Sequence, residues 1–241
     1  MNKLFSITLI LALSSFACNA QILNKIKIPK TTSSVTSLSE TDIINGLKEA
    51  LTKSSKIASD ALNKTDGYNG NPLIRIPFPT ELTKMETTLR ELGLGKEVDK
   101  FVLSLNRSAE QAAVEAAPIF ANAITQMNFT DATSILKGSD TAATAYLRKV
   151  TYSPLTTAFT PHIKNALDKN FVASQWANLS GIYNKMPTTK TKVNTDIVAF
   201  TTGKALQGLF TEVAGEEAKI RKDPLAQTSD LLKKVFGSQS K

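Results

Sequence analysis

The sequence predicts an all-α protein: a single helical domain of about eight to ten helices with a long central helix, behind a signal peptide and a flexible tether. Three observations carry this reading. Apolar residues recur at spacings of three and four along most of the chain. Glycine and proline number only 11 and 9 in 241 residues, which leaves room for long uninterrupted helices. No convincing pair of alternating runs offers itself as paired strands.

Residues 1–20 have the layout of a secretory signal peptide. Lys3 gives a positive start, Leu4 to Leu13 form an apolar core of about ten residues, and Ser14 to Ala20 make a small-residue exit. Cleavage after Ala20 discards Cys18, the only cysteine, and leaves no thiol for a disulfide, a nucleophile or a metal site. The alternative is that Cys18 is the acylated cysteine of a lipoprotein. Ala17 is suitably small for that, whereas Phe16 and Ser15 fit poorly. The chain is thus expected to be exported, to the periplasm or beyond, or to be lipid-anchored. Membrane association is expected only if Cys18 is acylated.

Residues 21–38 read as a flexible linker, with Lys25, Lys27 and Lys30 among isoleucines and a Ser/Thr run over 31–37. Residues 39–237 then form the helical domain. Ser39 with Asp42 makes a capping box, followed by Ile43, Leu47, Leu51, Ala58 and Leu62 on one face. The turn residues over 66–72 end that helix. Residues 73–79 alternate like a strand, but Pro77 and Pro79 would break a ladder, so an extended strap over helices is expected. Thr80 caps a short helix ending at Gly93. From Val98 to Met127 the helical phase holds for about thirty residues. Pro118 must bend or restart that run, which is the expected central helix.

Thr130-Asp131 opens a short helix closed at Gly138. Ser139-Asp140 opens another running through Val150, and separate helical patterns resume over 155–167 and 171–183. Residues 186–190 read as a loop. Asn194-Thr195-Asp196 caps a long helix over 197–221 that Asp223-Pro224 ends, Thr228-Ser229-Asp230 caps a last helix through Phe236, and 238–241 are a disordered tail.

The phrases Gly46-Leu47-Lys48-Glu49-Ala50-Leu51, Ile74-Arg75-Ile76-Pro77, Leu92-Gly93-Leu94-Gly95 and Asn106-Arg107-Ser108-Ala109-Glu110 occur in an order met elsewhere. So do the run from Gly138 to Arg148, the run from Glu216 to Pro224, and the run from Asp230 to Gly237. Over residues 38–237 the chain resembles the bacterial domain-of-unknown-function family 4197, found in exported and lipoprotein-like chains. That resemblance implies a single envelope domain and carries no activity, substrate or site residue.

Net charge is +8, about +7 once Lys3 is removed with the signal peptide. Export argues against a nucleic-acid partner, and lysines scattered along helices are solvated faces; an anionic envelope surface is the more natural attraction. The chain has 24 lysines but only five arginines, Arg75, Arg90, Arg107, Arg148 and Arg221. A chain that fills general positive positions with lysine can keep arginine for places that need a planar fork.

Catalytic signatures are sparse. His162, the only histidine, follows Pro161 at an expected helix opening and suits a surface or cap role. There is no Gly-x-Ser-x-Gly elbow, one histidine cannot make a two-histidine zinc motif, and residues 92–95 form a turn rather than a phosphate loop. No metal or cofactor is expected. Glu212 and Glu216 share a helix face with Glu217 beside them, and Lys219 and Arg221 nearby make this a solvated face.

One cluster remains as a candidate ligand site or structural polar network: Asn106, Arg107 and Glu110 with Asp140, Arg148, Glu217, Arg221 and Asp223. Asn106 and Glu110 lie one turn apart on an otherwise apolar helix, so they need partners there. The sequence is read as a non-enzymatic exported domain that binds a partner or ligand at the cell envelope. An enzyme working with carboxylates and arginine is the alternative, and a carrier of a lipid or other apolar ligand is a third.

Overall fold

The computed structural model describes residues 38–169, 172–185, 187, 192–193 and 196–237. The signal peptide with Cys18, the linker up to residue 37, most of the 186–190 loop and the 238–241 tail lie outside the described residues.

The order is α1 (Glu40–Leu62), a 3-10 turn (Thr80–Leu82), α2 (Thr83–Glu91), α3 (Gly95–Ala112), a second 3-10 turn (Ala113–Glu115) and α4 (Ala116–Gln126). Then follow α5 (Phe129–Leu136), α6 (Ala142–Lys169), α7 (Val172–Lys185), α8 (Ile197–Lys222) and α9 (Asp230–Phe236). No strand occurs among the described residues, and the domain is all-α.

α1 starts with a complete capping box. The Asp42 amide donates to Ser39 Oγ at 3.0 Å, and the Ser39 amide donates to the Asp42 carboxylate at 3.1 Å. Lys234 of α9 also donates to that carboxylate, at 2.6 Å. The hydrogen bonds from Lys234 and then Ser39 pull the Asp42 pKa from 3.8 down to about 2. A lowered carboxylate pKa means the ionised form is favoured by folding. Its stabilisation is therefore complete above 3.8 and is lost as pH falls through about 2. Urea midpoints of wild type and Asp42→Asn are expected to differ at neutral pH and to converge as pH drops through that window. A gap unchanged by acid would show that Asp42 stabilises without its charge.

The apolar face of α1, built on Leu47, Leu51, Ala58 and Leu62, packs against α4, α5, α8 and α9. α6 packs against α3, α4 and α8, with Leu105, Leu155, Phe159 and Leu206 buried in the shared core. α6 is the long helix of the fold, at 28 residues, and it takes the central place expected for the 98–127 run. That run is divided instead. α3 ends at Ala112, the turn over 113–115 tightens, and α4 restarts at Ala116 with Pro118 in its first turn, where a missing N–H costs nothing. The alanines Ala109, Ala112, Ala113 and Ala116 are fully buried there.

The two helices expected over 139–150 and 155–167 are one. Pro154 and Pro161 both sit inside α6 on its exposed side, so the carbonyls of Val150 and Thr157, deprived of their helical donors, are those of exposed residues within reach of water. The inward stripe never breaks: Ala143, Leu147, Thr151, Leu155, Phe159, Ile163 and Leu167 recur every fourth residue. His162 is accordingly mid-helix rather than at an opening. It is partly exposed, with Nε2 at 3.1 Å from the Glu115 carboxylate. α5 begins two residues earlier than expected, because Asn128 rather than Thr130 forms the capping box with Asp131.

Residues 71–79 form the strap, without regular structure. Tyr68 anchors its start: the ring is completely buried and the hydroxyl donates to the carbonyl of Ala205 in α8 at 2.8 Å. Burial pushes its pKa well up, with Glu212 and Glu110 adding to the effect. Gly208 makes the seat, since a Cβ there would meet the Tyr68 ring at 2.8 Å and Ile74 Cβ at 3.2 Å.

Candidate functional site

The eight polar residues singled out from the sequence do not converge on one pocket. Asn106, Arg107 and Glu110 form a network that holds the strap and the turn before it. Asn106 is fully buried on α3 and works as a backbone substitute. Its Oδ1 accepts from the Ile76 amide at 2.8 Å, while its Nδ2 donates to the carbonyls of Ile76 and Val102, both at 2.8 Å. One amide side chain thus pairs both polar groups of a residue that has no ladder partner. Glu110 accepts from the amides of Tyr68 and Asn69, each at 3.2 Å, and from Arg107 Nη1 at 2.6 Å. Arg107 also reaches Asp66 at 2.9 Å. Its pKa is raised, chiefly by the hydrogen bond to Glu110. Asp66 adopts a left-handed φ of 66° in the turn, and the Asn69 side chain donates to it at 2.9 Å.

Glu217 and Arg221 belong to a second network that shares no partner with the first. Glu217 projects from α8 onto the N-terminus of α6. It accepts from the amides of Ala143 at 3.0 Å and Thr144 at 2.7 Å, and from the Thr144 hydroxyl at 2.7 Å. It is an N-cap supplied by another helix, with its negative charge at the positive end of the α6 dipole. Arg221 Nε donates to Glu217 at 2.9 Å, its Nη2 donates to the Ile135 carbonyl at the end of α5 at 3.0 Å, and its guanidinium lies 5.7 Å from the Phe236 ring centroid in α9. Four helices meet through this pair. The space beside it is only about 10 Å³, so the core is filled there.

The remaining three stand apart. Asp140 makes an exposed ion pair with Lys222. Asp223 accepts from the Leu225 amide at 2.8 Å in the turn after α8. Arg148 lies over the rings of Tyr152 and Phe210, at 5.9 and 5.7 Å. Nor are Glu212 and Glu216 simply solvated: Glu212 accepts from Asn71 Nδ2 at 2.7 Å, and Glu216 pairs with Lys219.

The concave apolar surface lies elsewhere, between α2, the first half of α3, and α7. An aromatic trio forms its floor: Phe78 at the end of the strap, Phe101 on α3 and Trp176 on α7. Phe101 and Trp176 stack at 5.3 Å, and Phe78 meets them at 5.3 and 5.9 Å in tilted and edge-on geometry. Leu89, Leu94 and Val98 form the wall, enclosing an apolar groove of about 200 Å³. The Leu89–Leu94 wall is made by the turn that closes α2. The Leu94 amide donates to the Leu89 carbonyl at 2.9 Å and the Gly93 amide to the Arg90 carbonyl at 3.1 Å, with Gly93 at φ 84°. This is the Schellman arrangement, which brings the two leucines together.

The groove continues along α3 into a cleft of about 410 Å³ with Glu97, Lys100, Ser104 and Gln175 on its sides, then a third section of about 210 Å³ where Arg107 and Lys169 stand. Leu92, Leu94 and Leu103 are left exposed nearby, at 71, 43 and 38%. The sequence reading took Leu92-Gly93-Leu94-Gly95 only as a turn. A signal was present nonetheless, in two leucines flanking a turn glycine and in the chain's only tryptophan.

Among the described residues, no three His, Cys, Asp or Glu side chains come together as metal ligands, and no helix is long and apolar enough to cross a membrane. No curated protein and no solved structure was found to be similar to the chain. A family model does match residues 37–237, that of the family described as "Protein of unknown function (DUF4197)". The match covers all eleven helical segments described above and both polar networks, and the chain belongs to the DUF4197 family.

Proposed function

We propose that this is a non-enzymatic exported domain that binds a partner protein at the bacterial cell envelope through the groove between α2, α3 and α7. The observation that carries the reading is the aromatic floor of Phe78, Phe101 and Trp176 under an open apolar groove with exposed leucines at its edge. The occupant is a segment presenting one or two large apolar side chains with an acidic residue at one end, because Lys169 stands at the far end of the groove. Carriage of a whole lipid fits less well. The groove runs open along the surface and does not enclose its occupant. Catalysis by carboxylates also fits less well, because Glu110 and Glu217 are buried and already bound by three and four donors.

Photo-crosslinking in intact cells tests this, with the crosslinker placed at Leu94 or Leu103 and at Ile57 on α1 as control. Expected are protein adducts of defined mass from the two groove positions, abolished by Leu92→Asp together with Leu94→Asp. Leu92 is 71% exposed, and losing the Leu94 contact with Leu89 should lower the unfolding midpoint only modestly, so the double variant remains folded. Lipid adducts alone would replace this reading with carriage, and adducts no different from those at Ile57 would remove the groove from consideration.

A further inference from the structure

Of the five arginines, four are occupied: Arg90 with Glu86 and Asp99, Arg107 with Glu110 and Asp66, Arg221 with Glu217, and Arg148 with the faces of Tyr152 and Phe210. Arg75, on the strap, is the fifth. Its Nε donates to the Asn69 side chain at 3.2 Å, and its two terminal nitrogens have no carboxylate among the described residues. Across a cavity of about 130 Å³ from the strap lies the α8 face carrying Lys204, Gln207 and Thr211. Lys204 is half-buried there and has neither an ion pair nor a hydrogen bond among the described residues.

Among the described residues, no carboxylate lines this cavity. Glu212, one turn beyond Gly208, is engaged by Asn71. The strap's own amides are also spoken for, those of Ile74 and Arg75 by the Asn71 carbonyl and that of Ile76 by Asn106. The free donors facing the space are therefore a guanidinium fork and an ammonium, with an amide side chain beside them. Two cations held without an anion, at a polar cavity many times the ~10–15 Å³ that one water needs, are complementary to a compact multivalent oxyanion.

We propose that Arg75 and Lys204 form a binding site for a phosphate-type oxyanion between the strap and α8, separate from the apolar groove. A phosphomonoester carries a charge near −2 at neutral pH, which matches both cations, and its oxygens suit the bidentate arginine. Free phosphate and a soluble phosphomonoester share this chemistry, and a phosphodiester lipid headgroup offers a singly charged version of it. Leu73, 83% exposed on the same strap, offers apolar contact beside the site if the phosphate sits at a membrane surface.

The test is titration of the ¹⁵N-labelled full chain with inorganic phosphate at constant ionic strength. A second arm measures co-sedimentation with phosphatidylglycerol vesicles against phosphatidylcholine vesicles. Expected for a soluble anion are saturable shifts at the amides of Arg75, Ile76 and Thr211 with a Kd on the order of 1 mM. Arg75→Gln and Lys204→Met should each weaken binding about tenfold or more, while Lys149→Met should leave it unchanged. Neither position makes an ion pair among the described residues, and Arg75 gives up only its exposed hydrogen bond to Asn69, so circular dichroism melts should confirm that the fold is intact. If the source is a lipid headgroup, phosphatidylglycerol co-sedimentation falls with the same two variants even where free phosphate binds poorly. Phosphate shifts that rise linearly or survive both substitutions, together with vesicle binding indifferent to them, would overturn the site.

Discussion

Replacing Glu217 with alanine is expected to destabilise the domain by about 3–5 kcal/mol, because it leaves Arg221 as a buried cation without its counter-charge. The same change strips acceptors from the Ala143 and Thr144 amides and from the Thr144 hydroxyl. For a chain of this size each kcal/mol moves the midpoint by roughly 2–4 °C, so the melting temperature should fall by about 10 °C. A companion variant separates the two contributions. Glu217→Met with Arg221→Met removes the orphaned charge but not the orphaned helix start, so it should recover part of the loss. A single variant that melted within a degree or two of wild type would show that α6 does not depend on its borrowed cap. Thermal unfolding followed by circular dichroism, backed by urea midpoints, makes the measurement.

The second large effect is expected at Asn106. Leucine has a similar size but can neither donate nor accept, so the amide and carbonyl of Ile76 would be buried without partners. At roughly 1–3 kcal/mol per stranded group, Asn106→Leu should cost about 2–4 kcal/mol. Asn106→Asp retains an acceptor for the Ile76 amide and turns a carboxylate toward the Ile76 carbonyl, so it should fare little better. Hydrogen exchange gives the distinguishing readout. Protection should fall at Ile76 and at the Tyr68 and Asn69 amides before it falls in α6 or α8. Uniform loss across all helices would mean that the strap is not an independent unit.

What the sequence made legible was local. Ser39 and the capping triplets 194–196 and 228–230 announce their helix starts because an N-cap needs only its own next three residues, and Ser39, Asp196 and Ser229 occupy those positions. α6 was misread for an equally local reason. Proline is a breaker when its missing donor is buried, and periodicity alone does not say that Pro154 and Pro161 face water. The polar cluster was half legible. An asparagine and a glutamate on an alanine-rich face must find partners, but apart from Arg107 the partners are backbone groups at 68, 69, 76 and 102, which carry no sequence signature. Hence residues assigned to one site divide into two networks and three peripheral contacts. The groove left only the faint signal of the Leu92–Leu94 turn and the lone tryptophan, because its floor is assembled from positions 78, 101 and 176, far apart in the chain.

The cap on α6 has a consequence in time. Glu217 lies 74 and 73 residues after the amides it receives, and the Tyr68 hydroxyl waits for a carbonyl 137 residues downstream. A chain emerging from its N-terminus therefore makes α1, α3 and most of α6 while both closing contacts are still missing. Such a chain holds an uncapped helix and an unseated strap until the last quarter of the sequence arrives. The segment made last thus supplies the acceptors that complete both the start of α6 and the seat of the strap.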